Sequence, residues 1–152
     1  MGEAYFYHLT ESPLAETLPT LLGKARERGW MIEVRGTDLE RMNALDFALW
    51  KGDAETFLPH GRAGGAHDAD QPILLTVAGE NVAERLCTVC INGAPISAAE
   101  VAKAERVMVV FDALDGAEMQ SARNLWKSLT DDGCKAQYWA QEDGRWVKKA
   151  ER

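Results

Sequence analysis

A glycine-rich loop that carries histidines is the first part of this sequence whose residue types could do chemistry. The segment ALWKGDAETFLPHGRAGGAHD runs from Ala48 to Asp68 and joins an aromatic stretch to His60 and a run of glycines. Imidazole and carboxylate groups on a loop can act as acid and base or hold a metal, whereas aromatic side chains beside a proline are typical of protein-binding surfaces. Three interpretations are therefore open: a catalytic pocket, a metal site or a docking surface.

Two groups of residues have the side chains of a metal site. One group lies in the glycine-rich loop and beyond it, where no further His and no regular spacing fixes the geometry of a metal site. An exposed polar loop is therefore favoured there. The other group is the CTVC pair; on a strand, residues three apart point to opposite faces, so its sulfurs could not share a metal. We expect buried structural thiols and no metal. The loop group comprises His60, His67, Asp68 and Asp70, and the pair is Cys87 and Cys90.

No recognisable catalytic frame or phosphate loop accompanies His60. The chain has no G-x-S-x-G element, no reactive-looking cysteine beside a histidine and no framed pair of carboxylates. The glycines from Gly61 to Gly65 are not followed by Lys-Ser or Lys-Thr, and the first two predicted strands do not lead into G-x-G-x-x-G. His8 lies in an aromatic stretch, where a hydrogen-bonded core or rim histidine is expected. We therefore predict no catalytic residue and no cofactor.

Arg123, Trp126 and Lys127 form a third constellation near the end of the chain. Residues at i, i+3 and i+4 share one face of a helix, so a guanidinium, an indole and an ammonium would stand together. That mixture suits an acidic peptide with an aromatic end, because the cations meet its carboxylates and the indole offers a flat apolar wall. An ordinary half-buried tryptophan flanked by solvated charges would have the same spacing.

Composition narrows the class of protein further. The 152 residues suit one domain, 46% are hydrophobic, and no apolar run approaches the length of a membrane-spanning helix. The start of the chain lacks the basic and apolar regions of a secretory signal, and three sparse cysteines fit reduced thiols, so we expect a cytoplasmic protein. A net charge of −7 gains nothing from counterion release, so extensive direct DNA contact and membrane association are not expected.

Alternating strands and helices position these residues. Pro13 and Gly29 bracket a first helix with Ser12 as its N-cap, and the Thr37/Glu40 spacing predicts a capping box on a second. The pattern predicts a single three-layer α/β/α domain over residues 1–152, Rossmann-like but without a phosphate-binding glycine loop, with a mostly parallel or mixed sheet. The predicted strands are Ala4–Leu9, Trp30–Gly36, Pro72–Gly79 (expected to be central), Ala83–Gly93, Arg106–Asp112 and a terminal hairpin of Cys134–Gln141 with Arg145–Lys149; further helices are predicted over 95–105 and 115–133.

Several short segments of the sequence, taken in order, resemble those of a known family. The segments FYHL, RGW, LDFALWKGDAETFLPHGRAG, VVFD, ARNLWKSLTDDG and YW follow one another along nearly the whole chain. In this order they closely resemble the chi subunit of bacterial DNA polymerase III. The middle segment is the most specific part, since Leu49-Trp50 followed by Phe57-Leu58-Pro59-His60 is not a general α/β feature.

The resemblance implies a non-catalytic accessory subunit of the clamp-loader assembly. In that family the chi subunit binds the acidic C-terminal tail of single-stranded DNA-binding protein and joins the psi subunit. The tail-binding pocket of the family corresponds here to Arg123, Trp126 and Lys127. The second contact surface corresponds to Trp50 and Phe57, and with them we assign Leu58, Pro59 and His60 to partner binding, His60 as a hydrogen-bonding residue that holds the turn.

Two other classes of protein stay open from the residues alone. One is a small cytoplasmic hydrolase or transferase that uses His60 with the loop from Gly61 to Gly65 as an anion nest. The other is a binding module unrelated to replication. Both would have to be separated from the chi interpretation by their partners or substrates.

Overall fold

The computed structural model describes residues 2–51, 58–80 and 82–152 of the chain. Within these ranges, four α-helices and a short 3-10 turn at Asp68–Asp70 connect eight strands. The helices are α1 (Leu14–Glu27), α2 (Leu39–Trp50), α3 (Ala98–Lys103) and α4 (Gly116–Asp131). The strands are β1 (Glu3–Leu9), β2 (Ile32–Gly36), β3 (His60–Arg62), β4 (Ile73–Val77), β5 (Cys87–Cys90), β6 (Arg106–Asp112), β7 (Lys135–Glu142) and β8 (Arg145–Glu151).

The described strands form one sheet in the order β3-β4-β2-β5-β6-β1-β7-β8. Every neighbouring pair is parallel except β7 and β8, which form the predicted antiparallel hairpin. Helices α1 and α2 pack on one face of the sheet, and α3 and α4 pack on the other. Because helices cover both faces, the parallel strands are buried and rich in Val, Ile and Leu. The predicted three-layer α/β/α fold is confirmed.

Strand alternation divides the interior into two cores. In β1, Tyr7 faces the core beneath α1 and α2, whereas Phe6 faces the core beneath α3 and α4. Cys87 and Cys90 are both buried and lie in these two different cores. This confirms that the two sulfurs point to opposite faces. Burial raises the pKa of each of these thiols to about 12.

The helix starts differ from the predicted ones. Asp38, not Thr37, is the N-cap of α2, where its carboxylate accepts from the amide of Glu40 at 2.9 Å. The hydroxyl of Thr37 instead donates to the carbonyl of Asn92, which ties α2 to the loop after β5. At α1 the N-cap is Pro13, not Ser12. The amide of Ser12 donates to the side-chain oxygen of Gln141 in β7, at 3.1 Å.

Three strands also differ from their predicted extents or places. β3 forms inside the predicted loop and pairs with β4, His60 opposite Ile73. β4 therefore lies next to the edge strand rather than at the centre, although Ile73–Val77 is almost wholly buried. β5 is limited to Cys87–Cys90, shorter than the predicted Ala83–Gly93, and the guanidinium of Arg85 before it binds loop carbonyls, including that of Asp68 at 2.7 Å.

The raised thiol pKa values predict a fixed order of cysteine reactivity. We expect iodoacetamide near pH 8 to alkylate the partly exposed Cys134 first, because the two buried thiols stay protonated and shielded. Peptide mass spectrometry of the native chain should find Cys87 and Cys90 labelled only after denaturation. Labelling of either at the rate of Cys134 would contradict the two-core arrangement.

Candidate functional site

Helix α4 presents the predicted Arg123 and Trp126 to the same side of the sheet. Asp115 caps the helix by accepting from the amides of Ala117 and Glu118, each at 3.0 Å. Trp126 is half-buried and packs edge-to-face on Phe6, with ring centroids 5.2 Å apart. Since the indole is held by the core, it forms a rigid wall, while Arg123 beside it stays exposed.

A groove of about 500 Å³ opens between α4, the sheet and the terminal strand β8. Its floor is largely aromatic and comes from three neighbouring strands, β1, β6 and β7. One wall belongs to α4 and the opposite rim to β8. The lining residues are Phe6, Phe111 and Tyr138 on the floor, Met119, Ala122, Arg123 and Trp126 on the wall, and Lys149, Ala150 and Arg152 on the rim.

Lys127 is separated from this groove. It is exposed on α4 but does not line the cavity, and its Nζ lies 3.9 Å from the Oδ2 of Asp131 one turn later. The predicted trio is therefore brought together as a pair, Arg123 and Trp126, with Lys127 outside the lining. An exposed i,i+4 pair of this kind contributes little energy.

The charge of the groove is opposite to that of the whole chain. Arg123 and Arg152 have no carboxylate within ion-pair distance among the described residues, and Lys149 is paired with Glu142. The floor between these cations is apolar. An apolar trough with basic edges, in a chain of net charge −7, suits a ligand that is both acidic and apolar.

His8 and Tyr138 support the floor of the groove. His8 stacks on Phe111 with centroids 4.8 Å apart, and its Nδ1 lies 2.7 Å from the Tyr138 hydroxyl. Burial, the largest cause, lowers the pKa of His8 below its ordinary value. Its Nε2 has no hydrogen-bond partner in the described part of the chain. The predicted hydrogen-bonded histidine is therefore bonded through Nδ1 alone among these residues. The histidine orients Tyr138 rather than facing a substrate.

The second predicted surface lies at the end of α2. Trp50 is 52% exposed and the neighbouring Phe47 is 61% exposed. Leu58 is buried and Pro59 exposed, whereas Phe57 lies outside the described residues. Two exposed aromatic side chains on one helical turn form an apolar patch of a kind that often marks a protein contact.

His60 is a structural residue of this region. Its ring is buried, with Nδ1 2.7 Å from the carbonyl of Leu58 and Nε2 2.9 Å from the carboxylate of Asp46. It also packs on the indole of Trp50, with centroids 4.5 Å apart. These contacts supply the hydrogen bonds expected to hold the turn, and they leave no nitrogen of His60 directed to solvent.

The glycine loop after β3 is already occupied by the chain itself. The amides of Gly64 and Gly65 both donate to the carboxylate of Asp68, at 2.9 Å each. An anion nest needs such amides unpaired, so the loop lacks the feature on which the enzyme alternative depends. Of the described residues, no three of the types His, Cys, Asp and Glu are grouped as a metal site.

The β8 residues of the groove were not predicted from the sequence. Strand alternation places Ala150 and Arg152 on the face of Tyr138, and this pattern could have indicated them. Lys149 gives no such signal, because an irregularity in the hairpin turns it toward the groove. The floor residues Phe6 and Phe111 look like ordinary core residues in the sequence.

The fold and the groove define an α/β binding domain that lacks a phosphate loop. The family model of the DNA polymerase III chi subunit, HolC, matches residues 1–137, and the chain belongs to this family. The resemblance seen in the sequence is thereby confirmed, and the chain is a replication accessory subunit by family. A comparison with curated proteins found no match. In the described part of the chain, no helix combines the length and apolarity needed to cross a membrane.

The buried contacts of His60 predict a stability role. We expect His60→Ala to lower the free energy of unfolding by about 2–3 kcal/mol, because it removes a buried ring and leaves the carbonyl of Leu58 without its donor. The matched variant is Pro59→Ala, whose exposed side chain should change stability by less than about 0.5 kcal/mol. Urea denaturation followed by tryptophan fluorescence measures both. An unchanged midpoint for His60→Ala would refute the structural role.

Proposed function

We propose that this chain binds the acidic C-terminal tail of single-stranded DNA-binding protein in the groove between α4 and β8. The observation that carries the proposal is the combination of an apolar aromatic floor with the exposed guanidinium of Arg123, which has no carboxylate partner among the residues that the structure describes. The family match supports the same partner class, because the chi subunit is an accessory subunit of a replicative polymerase.

The groove chemistry fits such a tail step by step. The apolar end of the peptide buries its side chain against Phe6, Trp126 and Tyr138, where aromatic contacts favour an edge-to-face arrangement. A carboxylate of the peptide meets Arg123, whose planar fork can donate two parallel hydrogen bonds. Lys127 lies outside the lining and adds long-range attraction. The grip is partly electrostatic, so it weakens as salt rises.

The second part of the proposal assigns the α2 surface to the psi subunit of the clamp loader. Trp50 and Phe57 supply the apolar anchors, and Trp50 is 52% exposed. Pro59 is exposed as well, whereas Leu58 and His60 are buried, and His60 supports the surface by packing on the indole of Trp50. The two surfaces lie on opposite faces of the sheet, since α2 and α4 pack on opposite sides, and one chain can engage both partners at once.

The resulting mechanism is tethering. Single-stranded DNA coated with its binding protein displays many tails, and a weak grip on one tail gains from the high local concentration of the others. The chain thereby holds the polymerase assembly near coated DNA. It needs no extensive DNA contact of its own and no catalytic group.

The role of Arg123 is tested by its removal. Arg123→Ala should weaken binding of a synthetic tail peptide by roughly ten- to a hundredfold, because a charge-assisted hydrogen bond contributes about 1.5–3 kcal/mol. The matched control is Asn124→Ala, an exposed neighbour on α4 that does not line the groove. Isothermal titration calorimetry measures both affinities. Equal affinity of the two variants would exclude the proposed grip, and no binding by the parent chain would exclude the tail as ligand.

The α2 surface is tested with a double substitution. Trp50→Ala combined with Phe57→Ala should abolish capture of the psi subunit, because it removes the apolar anchors, while leaving tail-peptide affinity within about twofold. Leu114→Ala is the control, since this side chain is 95% exposed in the segment between β6 and α4 and does not belong to the predicted α2 surface. Analytical size-exclusion of the mixed proteins gives the readout. Undiminished complex formation by the double variant would overturn this assignment.

A further inference from the structure

The last strand of the chain lies beyond the family match and still completes the groove. The family model ends its match at residue 137, whereas β8 spans Arg145–Glu151. Lys149, Ala150 and Arg152 nevertheless form the rim opposite α4. Two of the three cations that line this groove therefore come from a part of the sequence that the family pattern does not describe.

An irregularity in the β7–β8 hairpin creates this rim. Tyr138 pairs with Ala150, but the next residue, Trp139, pairs with Lys148, so Lys149 is the additional residue of a β-bulge. In a regular strand Lys149 would point to the face opposite Ala150. The bulge re-aims the side chain, as bulges commonly do at sheet edges near binding sites. Two consecutive residues thus line the same groove.

The end of the strand is held in place. The amide of Arg152 donates to the carbonyl of Ala136 at 2.8 Å, and its carbonyl accepts from the amide of Ala136 at 3.2 Å. The backbone of Arg152 is thus a bonded continuation of the ladder. Among the described residues no carboxylate pairs with its guanidinium, while the ammonium of Lys149 is paired with Glu142. The rim therefore presents two cations, of which Lys149 already has Glu142 as a partner.

We propose that Lys149 and Arg152 form a second cationic subsite that binds acidic side chains of the peptide upstream of its apolar end. This inference rests on the proposed function of the groove. The ligand is then an extended acidic peptide, rather than any short peptide that ends in an aromatic carboxylate.

Charge placement favours this occupant. Arg123 stands on α4, whereas Lys149 stands on β8 and Arg152 directly follows it, with an apolar floor between the two sides. A ligand with a single carboxylate leaves one edge without a counter-charge, whereas an acidic segment that continues from a buried apolar end can pair with both. Cations brought together on one groove also repel each other, and an anionic peptide relieves that repulsion.

The test removes the rim charges and the peptide charges in parallel. Lys149→Gln with Arg152→Gln keeps the length of the side chains and deletes their charges. Lys148→Gln is the matched control, because Lys148 is on the same strand, pairs opposite Trp139 and does not line the groove. The probes are two synthetic peptides with the same aromatic end, one with several upstream aspartates and one with asparagines in their place. Calorimetric titration at low salt gives the affinities of all combinations.

We expect the rim variant to bind the aspartate peptide roughly fivefold more weakly than the parent chain, as two exposed charge contacts predict. It should bind the asparagine peptide as the parent does, and Lys148→Gln should change neither affinity. Equal affinity of parent and rim variant for the aspartate peptide would overturn the subsite and leave the Arg123 grip standing. Failure of the parent to bind either peptide would overturn the proposed function as well.

Discussion

The packing of Trp126 on Phe6 is the contact on which the proposed binding groove depends. Phe6 lies in β1, between β6 and β7 in the sheet, and Trp126 comes from the helix that covers this part of the sheet. Their edge-to-face geometry, with an interplanar angle of 72°, keeps α4 at a distance that leaves room for a groove beside it. Such a pair contributes about 0.5–1.5 kcal/mol beyond the area it buries. The same indole thus packs on the core and also lines the groove.

The chain as a whole is acidic, but three of its cations are concentrated around one groove. A chain with net charge −7 repels nucleic acid at long range, but it keeps three cations around one apolar trough. Arg123 comes from α4, whereas Lys149 and Arg152 come from the end of the chain, after the β7–β8 hairpin. In the proposed function, this local concentration of positive charge favours small acidic ligands over a long polyanion that would also meet the acidic remainder of the surface.

Sequence patterns predicted the features that depend on local periodicity. The strands β1 and β6, the terminal hairpin and the opposite orientation of Cys87 and Cys90 were predicted from local sequence patterns, and the structure has each of them. Arg123 and Trp126 were found because a helical face repeats at three and four residues. These predictions needed no knowledge of how distant segments pack.

The features that depend on distant segments could not be predicted in this way. β3 has three residues and exists only because β4 offers it a partner. Thr37 and Asp38 are both good capping residues, and the choice of Asp38 follows from the bond of Thr37 to Asn92 in another loop. The bulge that turns Lys149 toward the groove depends on the register of β7 against β8. The contribution of Lys149 to the rim could therefore not be predicted from the sequence.

The most direct test of the central claim is an NMR titration of the isotope-labelled chain with the tail peptide. Binding of the tail in the groove predicts the largest chemical-shift changes at the indole of Trp126 and at the amides of Arg123, Ala150 and Arg152. These residues lie on two separate segments of the chain, on either side of the groove. Shifts concentrated around Trp50 on α2, with α4 and β8 unchanged, would contradict the assignment of this groove as the peptide-binding site.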